Sequence, residues 1–374
     1  MKKYKVGIIG YGGFGKFLHH WWAQLDQVEI VAIADSKLER SEVSGIKVFR
    51  HWEELVASDL DIVSVVTPPS VHAEIAAAAM QAGKHVLLEK PVAISNAQIA
   101  ALTKVMNETG KVILVNHMLR YNPIVMALSE LSHSGQLGPL RHAEVSNYAQ
   151  DSTLPKEHWF WNRDFSGGIM VEHAVHFIDI VNSLTTQQVE SVQGTSSHRN
   201  EVQEDQVAAM IKYSGGLIAN HYHGFSGPGF FEETTIRLVF DLARIEIKGW
   251  IPMNGTVKVL ANTAISNALE SLPGWEVTHS IPIESATDVS RPEGWGEQEG
   301  QRSIVNFGGA DYQVDNMLEG TFGIPKTKGD VYGQCVQDIL KDMITLIENP
   351  AHKTRVNFGD AVKSVEIALR ASGR

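Results

Sequence analysis

Lys5–Gly15, KVGIIGYGGFG, followed by the helix-forming run Lys16–Leu25, is the stretch that decides the fold. A short apolar strand runs into a glycine-rich turn, and the turn opens a helix. A dinucleotide-binding βαβ unit requires that order, and Gly10, Gly12 and Gly15 fill G-x-G-x-x-G. The three glycines meet different steric demands. Gly10 allows the tight turn, Gly12 lets the backbone approach a pyrophosphate, and Gly15 lets helix pack on strand. The pyrophosphate is expected at the helix N-terminus, where unbonded N–H groups and the helix dipole favour an anion.

The next apolar strand, Val28–Ala34, ends in Asp35, about 20 residues beyond the turn, where an acidic residue accepts hydrogen bonds from the adenosine ribose. A carboxylate there repels a 2′-phosphate, so NAD is the expected cofactor. Lys37 and Arg40 follow closely and leave NADP open. Then come Ile62–Thr67, the turn Pro68-Pro69-Ser70-Val71-His72, an alanine-rich helix over Ala73–Ala82, the stretch His85–Pro91 (HVLLEKP) and Val112–His117. Strands separated by helices read as a parallel, doubly wound α/β sheet. In such a sheet the ligand crevice lies outside the carboxyl ends of the strands, so Lys90 should stand in it. Pro91 biases Lys90 toward extended backbone.

At 374 residues the chain exceeds the usual single-core size, and the expected division is 1–120 and 121–374. Apolar content of 43% and charged content of 20% describe an ordinary soluble globular protein. A net charge of −11 disfavours nucleic acid and anionic membrane as partners. The lone Cys335 rules out an internal disulfide and metal sites built on several thiolates. Among the 16 histidines, His221 and His223 share a strand face but have no acidic or cysteine ligand at tight spacing, so no catalytic metal is expected. The start of the chain runs into the first strand without an apolar leader, and no window approaches a membrane span; a cytoplasmic protein is expected.

Beyond residue 120, period-2 runs occur at Arg141–Tyr148, Gln206–Tyr213, Leu217–His223, Thr234–Phe240 and Arg244–Lys248. Ser214-Gly215-Gly216 predicts a hairpin between two of them. Glu284–Phe307 is polar with Gly and Pro and reads as an excursion from the core. Helices are expected over Gly333–Glu348 and Asp360–Ser372. The second chemical constellation is Gly167–Asp179, GGIMVEHAVHFID, an apolar helix behind two glycines. Glu172, His176, Asp179 and Ser183 fall at i, i+4, i+7 and i+11, within roughly 60° on a regular helix. A polar stripe on a buried helix should face something polar.

Taken together, GYGGFG, Asp35, TPPSVH, AGKHVLLEKP and VNHMLRYNP resemble the Gfo/Idh/MocA family of oxidoreductases. The resemblance implies a Rossmann domain followed by an α/β domain with a large, mostly antiparallel, open-faced sheet, whose outer face makes homodimer or homotetramer contacts. It implies cofactor contacts from Gly10, Gly12, Phe14, Gly15, Asp35, Thr67, Pro68, His72, Glu89 and Lys90. His176 takes the position of the family's acid/base histidine. Glu172 stands where the family usually has Asp, longer by one methylene. Arg120, followed by Tyr121, matches an Arg-aromatic element that either borders the crevice or packs between domains. Trp161 and Trp159 are candidates to stack on a sugar ring, with core packing the expectation for one of them. Asp179 is placed with Arg120 and Trp161 on the substrate side, and His173 is read as a packing or subunit-contact residue.

The expected chemistry is hydride transfer between nicotinamide and the carbinol carbon of a sugar, cyclitol or related polyol. Removing the hydroxyl proton suits a histidine, which ordinarily titrates near neutrality, and the Lys90 ammonium would stabilise developing alkoxide charge. Two rivals remain at this point. One is a lyase or glycosidase of the same family that uses the nicotinamide only transiently. The other is a non-catalytic sensor that keeps the fold for binding, a role that needs neither Lys90 nor His176.

Overall fold

The computed structural model describes residues 2–38, 45–283 and 304–374. The first half runs β1 (Tyr4–Ile9), α1 (Gly13–Trp22), β2 (Val28–Ala34), β3 (Lys47–Phe49), α2 (Trp52–Val56), β4 (Ile62–Val65), α3 (His72–Gln81), β5 (His85–Leu88), α4 (Asn96–Thr109) and β6 (Ile113–Val115). Its six strands form one parallel sheet in the order β3-β2-β1-β4-β5-β6. The doubly wound expectation is therefore met. Every residue of β4 is buried, as is all of β5 beyond His85, which is why these strands read as continuous apolar runs: helices cover both faces of a parallel sheet. Strand order reverses between β1 and β4. The crevice created there is bordered by the glycine turn after β1, by Thr67 after β4 and by Glu89-Lys90 after β5.

α5 (Pro123–Ser134) starts the second half, with Pro123 at its first position and the Asn122 side chain accepting the Ile124 and Val125 N–H groups. There follow β7 (Leu140–Gln150), α6 (Arg163–Ser166), a π-helical turn (Met170–Ala174) continuing into α7 (Val175–Ser183), then β8 (Val189–His198), β9 (Glu204–Tyr213), β10 (Ile218–Gly227), β11 (Glu233–Phe240), β12 (Ala243–Lys248) and β13 (Asn254–Ala261). The chain closes with α8 (Thr263–Leu269), β14 (Glu276–Pro282), the hairpin β15 (Ile304–Phe307) and β16 (Ala310–Gln313), β17 (Asn316–Gly323), α9 (Lys328–Glu348) and α10 (Phe358–Ala371).

Nine of these strands form a sheet in the order β14-β17-β13-β12-β11-β7-β10-β9-β8. Only β7 and β10 pair parallel, so the sheet is mostly antiparallel as expected. All five alternating runs are strands, and Ser214–Gly216 joins β9 to β10 as a hairpin. No sequence pattern announces β14, because every one of its residues is exposed and an edge strand of that kind carries no alternation. Residues 284–303 of the expected polar excursion lie outside the described residues, and its last four residues form β15. No helix among the described residues is long and apolar enough to cross a membrane.

α9 returns to the first half. The buried Trp22 indole donates to the Val336 carbonyl at 2.7 Å, and Gln337 donates to the Trp21 carbonyl at 2.7 Å. Gly333 makes this approach possible, since a Cβ there would lie 2.0 Å from the Trp21 ring. Gly333→Leu should therefore lower the unfolding free energy by about 1–3 kcal/mol, the usual cost of overpacking. A urea midpoint equal to the parent's would show that α1 and α9 do not pack as described.

Candidate active site

The glycine turn meets the steric demands placed on it. Gly10 has φ +92°, and a Cβ there would lie 2.5 Å from the Val66 carbonyl oxygen. A Cβ at Gly15 would lie 2.1 Å from the Gly10 oxygen, whereas one at Gly12 would meet nothing within 4 Å, leaving the backbone open to a ligand. α1 begins with no side-chain cap and no acidic residue in its first turn, so its leading N–H groups are available to an anion. Asp35 is fixed by its surroundings: one carboxylate oxygen accepts the Tyr11 N–H and the other the Lys37 N–H, both at 2.8 Å. Each oxygen retains acceptor capacity for a ribose hydroxyl. These residues fit a dinucleotide with an unphosphorylated ribose. Arg40 lies outside the described residues.

Two loops at the crevice are tied together by His72. Its Nδ1 is 2.8 Å from the Pro91 carbonyl oxygen and its Nε2 2.8 Å from that of Thr67. The ring is fully buried and braces the loops. Glu89 is buried and accepts from the Asn116 amide; burial pushes its carboxyl up to about 7 against the opposing effects of Asn116 and Lys90. Lys90 crosses to the second half, donating at 2.7 Å to the Glu172 carboxylate and at 2.8 Å to the Glu172 carbonyl. Burial alone would raise the Glu172 carboxyl, but Lys90 outweighs it and the group sits below its ordinary value.

These groups border a cavity of about 300 Å³ between the halves. Phe14, Thr67, Glu89 and Lys90 face it from the first half; Trp159, Glu172, His173, His176 and Trp250 face it from the second, with Tyr332 of α9. Depressions of similar size on the outer face of the second sheet, lined by residues such as Arg237, Thr256 and Glu319, bring no such groups together. His176 is held well below its ordinary 6.5 by burial and by the nearby Lys90, and burial pushes His173 down to about 4. Both imidazoles are neutral bases at neutral pH. Among the described residues no group of three or more His, Cys, Asp or Glu is arranged to hold a metal.

Several expected residues are placed elsewhere. The π turn widens the helix at Met170–Ala174, and the polar stripe as a whole does not face the cavity. Glu172 and His176 reach the cavity, but Asp179 points behind it into a bidentate pair with Arg120, 2.7 Å on each arm, and Ser183 donates to the Ile180 carbonyl. Neither Arg120 nor Asp179, expected on the substrate side or, for Arg120, in packing between domains, lines the cavity: their charges satisfy one another between the halves. Trp161 is buried with its indole N–H directed to the Leu154 and Pro155 carbonyls, and Trp159 takes the wall position. Pro69, not Pro68, lines the cavity. His173, expected to serve packing or subunit contact, packs on Phe177, His223 and Phe225 and also lines the cavity. Trp250 and Tyr332 join the lining without any signal in the sequence, since their surroundings, KGWIP and DVYGQ, carry no motif of their own; Asn116 joins it from within the VNHMLRYNP motif, where nothing singles it out.

A nucleotide-binding half whose crevice is closed by a second sheet is the architecture of a two-domain, dinucleotide-dependent oxidoreductase. Residues 4–117 match the profile described as "Oxidoreductase family, NAD-binding Rossmann fold", and residues 125–246 match the Gfo/Idh/MocA C-terminal domain. The chain belongs to the Gfo/Idh/MocA family. It is 26% identical over 231 residues, 59% of this chain and 58% of the other, to 1-carboxy-3-chloro-3,4-dihydroxycyclohexa-1,5-diene dehydrogenase of Comamonas testosteroni. It is 25% identical over 197 residues, 52% and 58% of the two chains, to the inositol 2-dehydrogenase of Rhizobium meliloti. The chain thus spans somewhat under two thirds of the length of these relatives. An oxidoreductase domain protein from Kribbella flavida has the same fold, with a TM-score of 0.75 at 18% identity over 100% of this chain and 97% of that one.

The pinned Asp35 carboxylate generates a cofactor prediction. NAD should bind more tightly than NADP, and Asp35→Ala should narrow the gap, as read from dissociation constants by fluorescence titration. A parent protein that prefers NADP would contradict it.

Proposed function

We propose that the protein is an NAD-dependent dehydrogenase that transfers a hydride between nicotinamide and a carbinol carbon of a sugar, cyclitol or related polyol. The observation that carries this reading is the meeting of Lys90 and His176 on one cavity that is also bordered by the glycine-turn residue Phe14. NAD, when bound, supplies the hydride acceptor. His176 takes the hydroxyl proton: its depressed basicity keeps it neutral and ready to accept. The Lys90 ammonium stabilises negative charge on the reacting oxygen, and Glu172 fixes the ammonium from two directions. The longer glutamate side chain reaches Lys90 directly, so its role is to hold the lysine. Trp159 and Trp250 offer flat apolar walls that suit the C–H face of a ring. The relative named as an inositol 2-dehydrogenase supports a polyol substrate.

Lys90→Ala and His176→Ala should each cut turnover by roughly 10² or more while leaving NAD affinity within a few-fold, once a polyol panel read by NADH absorbance supplies a substrate. Burial also moves the expected pH dependence. Oxidation needs neutral His176, and a depressed imidazole is already neutral at 6.5, so the rate should rise with pH only below that value and lie flat above it. Near-parent turnover in both variants would place the chemistry elsewhere.

We further propose a homodimer or homotetramer formed through the outer face of the second sheet, where Tyr148 (51%), Met210 (44%) and Ile218 (41%) are exposed on neighbouring strands. Light scattering should give a multiple of 41.2 kDa at micromolar concentration, and a mass of one chain would count against it.

A further inference from the structure

His117, at the carboxyl end of the first sheet, has no part in the chemistry above, yet it is 1% exposed and neither ring nitrogen makes a protein hydrogen bond. A buried imidazole with two unsatisfied nitrogens is costly, so its position calls for a partner. On one side stands Asp179, whose Oδ2 is 3.7 Å from His117 Nδ1. The carboxylate has about four acceptor sites. Oδ1 uses two, on Arg120 Nη2 at 2.7 Å and Ser364 Oγ at 3.1 Å, and Oδ2 uses one, on Arg120 Nε at 2.7 Å. The remaining site is on the oxygen nearest His117. On the other side stands His176, with ring centres 6.5 Å apart and the rings edge to face. The Nδ1 of His176 is buried and also has no protein partner. Each nitrogen lies about 1.1 Å from its ring centre, so even facing nitrogens would stand about 4 Å apart, too long for a direct bond of about 2.9 Å and a span that one bridging water fills.

We propose that His117 is a positioning residue for His176, coupling it through one bridging water to the Asp179 carboxylate. This inference rests on the reading of His176 as the acid/base group. The carboxylate, 3.7 Å away, favours the tautomer of His117 with its proton on Nδ1, which leaves Nε2 as an acceptor. The water donates to that nitrogen and accepts His176 Nδ1–H. His176 Nε2 is then the free base on the cavity side and takes the hydroxyl proton when the carbinol is oxidised. The positive charge that forms on the His176 ring is stabilised through the same chain. No bond beyond those of the hydride and proton transfer is made or broken.

The other groups around His176 do not offer this arrangement. They are Lys90 after β5, Glu172 and His173 on the π turn, and His223 on β10, with the Trp250 ring at 5.9 Å. Glu172 is committed to Lys90, and His173 and His223 pack on one another and on Phe177. His117 is the neighbour backed by a fixed carboxylate with a site to spare.

The test compares His117→Phe, which keeps bulk but removes both nitrogens, with His117→Gln, which restores a donor and an acceptor. His117→Phe should lower kcat for polyol oxidation by about tenfold or more, the scale seen when a supporting partner of a functional histidine is lost. It should also shift the acid limb of the pH profile to lower pH. NAD affinity should stay within twofold, and His117→Gln should recover part of both effects. If His176→Ala leaves the acid limb in place, the acid/base reading itself fails. If His176→Ala removes the limb but His117→Phe leaves both limb and kcat unchanged, that reading stands and the coupling is overturned. Should His117→Phe fail to bind NAD, the parent decides alone: ¹⁵N-histidine spectra must show His176 with its proton on Nδ1, and a proton on Nε2 overturns the proposal.

Discussion

The Lys90–Glu172 ion pair is the constraint on which the site depends. Lys90 ends a strand of the first sheet and Glu172 lies on the π turn of the second half, so one contact of 2.7 Å sets how the two walls of the cavity face each other. The two side chains are only 13% and 15% exposed, and charges so shielded are costly unless paired and hydrogen-bonded. The second hydrogen bond, to the Glu172 carbonyl, fixes the ammonium in place and leaves its remaining proton for a ligand. A parallel arrangement behind it, Arg120 with Asp179 and Asp360, joins the end of the first sheet to α7 and α10. Two charged bridges therefore hold the halves together, one lining the cavity and one beyond its lining.

Burial sets the electrostatics within this frame. The imidazoles of His72, His117, His173, His176 and His223 are all depressed, first by desolvation, so the interior carries neutral bases beside the compensated pairs Lys90–Glu172 and Arg120–Asp179. A neutral histidine beside an ammonium is the division of labour that alcohol oxidation needs: one group receives a proton and the other steadies the oxygen left behind. The π turn contributes by placing two successive residues, Glu172 and His173, on the cavity wall ahead of His176.

How far the sequence foretold this depended on whether a constraint was local. Gly10 and Gly15 were legible because their demands concern backbone within a single βαβ unit. Lys90 was legible because it ends an apolar run, and His176 because it follows a paired glycine at a family spacing. The fate of Asp179 was not, since its partners Arg120 and Ser364 lie 59 and 185 residues away. The π turn was invisible for a different reason: a helix apolar on nearly every side has no phase from which a widened turn can be read. Trp250 and Tyr332 reach the cavity only because β12 and α9 return to it, which no local pattern announces.

The central claim is that a hydride leaves a substrate carbon inside this cavity and arrives on the cofactor. It is tested most directly with a polyol deuterated at the carbinol carbon and NAD as acceptor, with the reduced cofactor analysed by mass spectrometry. Direct transfer predicts reduced NAD that carries the label, without exchange into solvent. Unlabelled product, or a cofactor that ends the reaction unreduced, would contradict it.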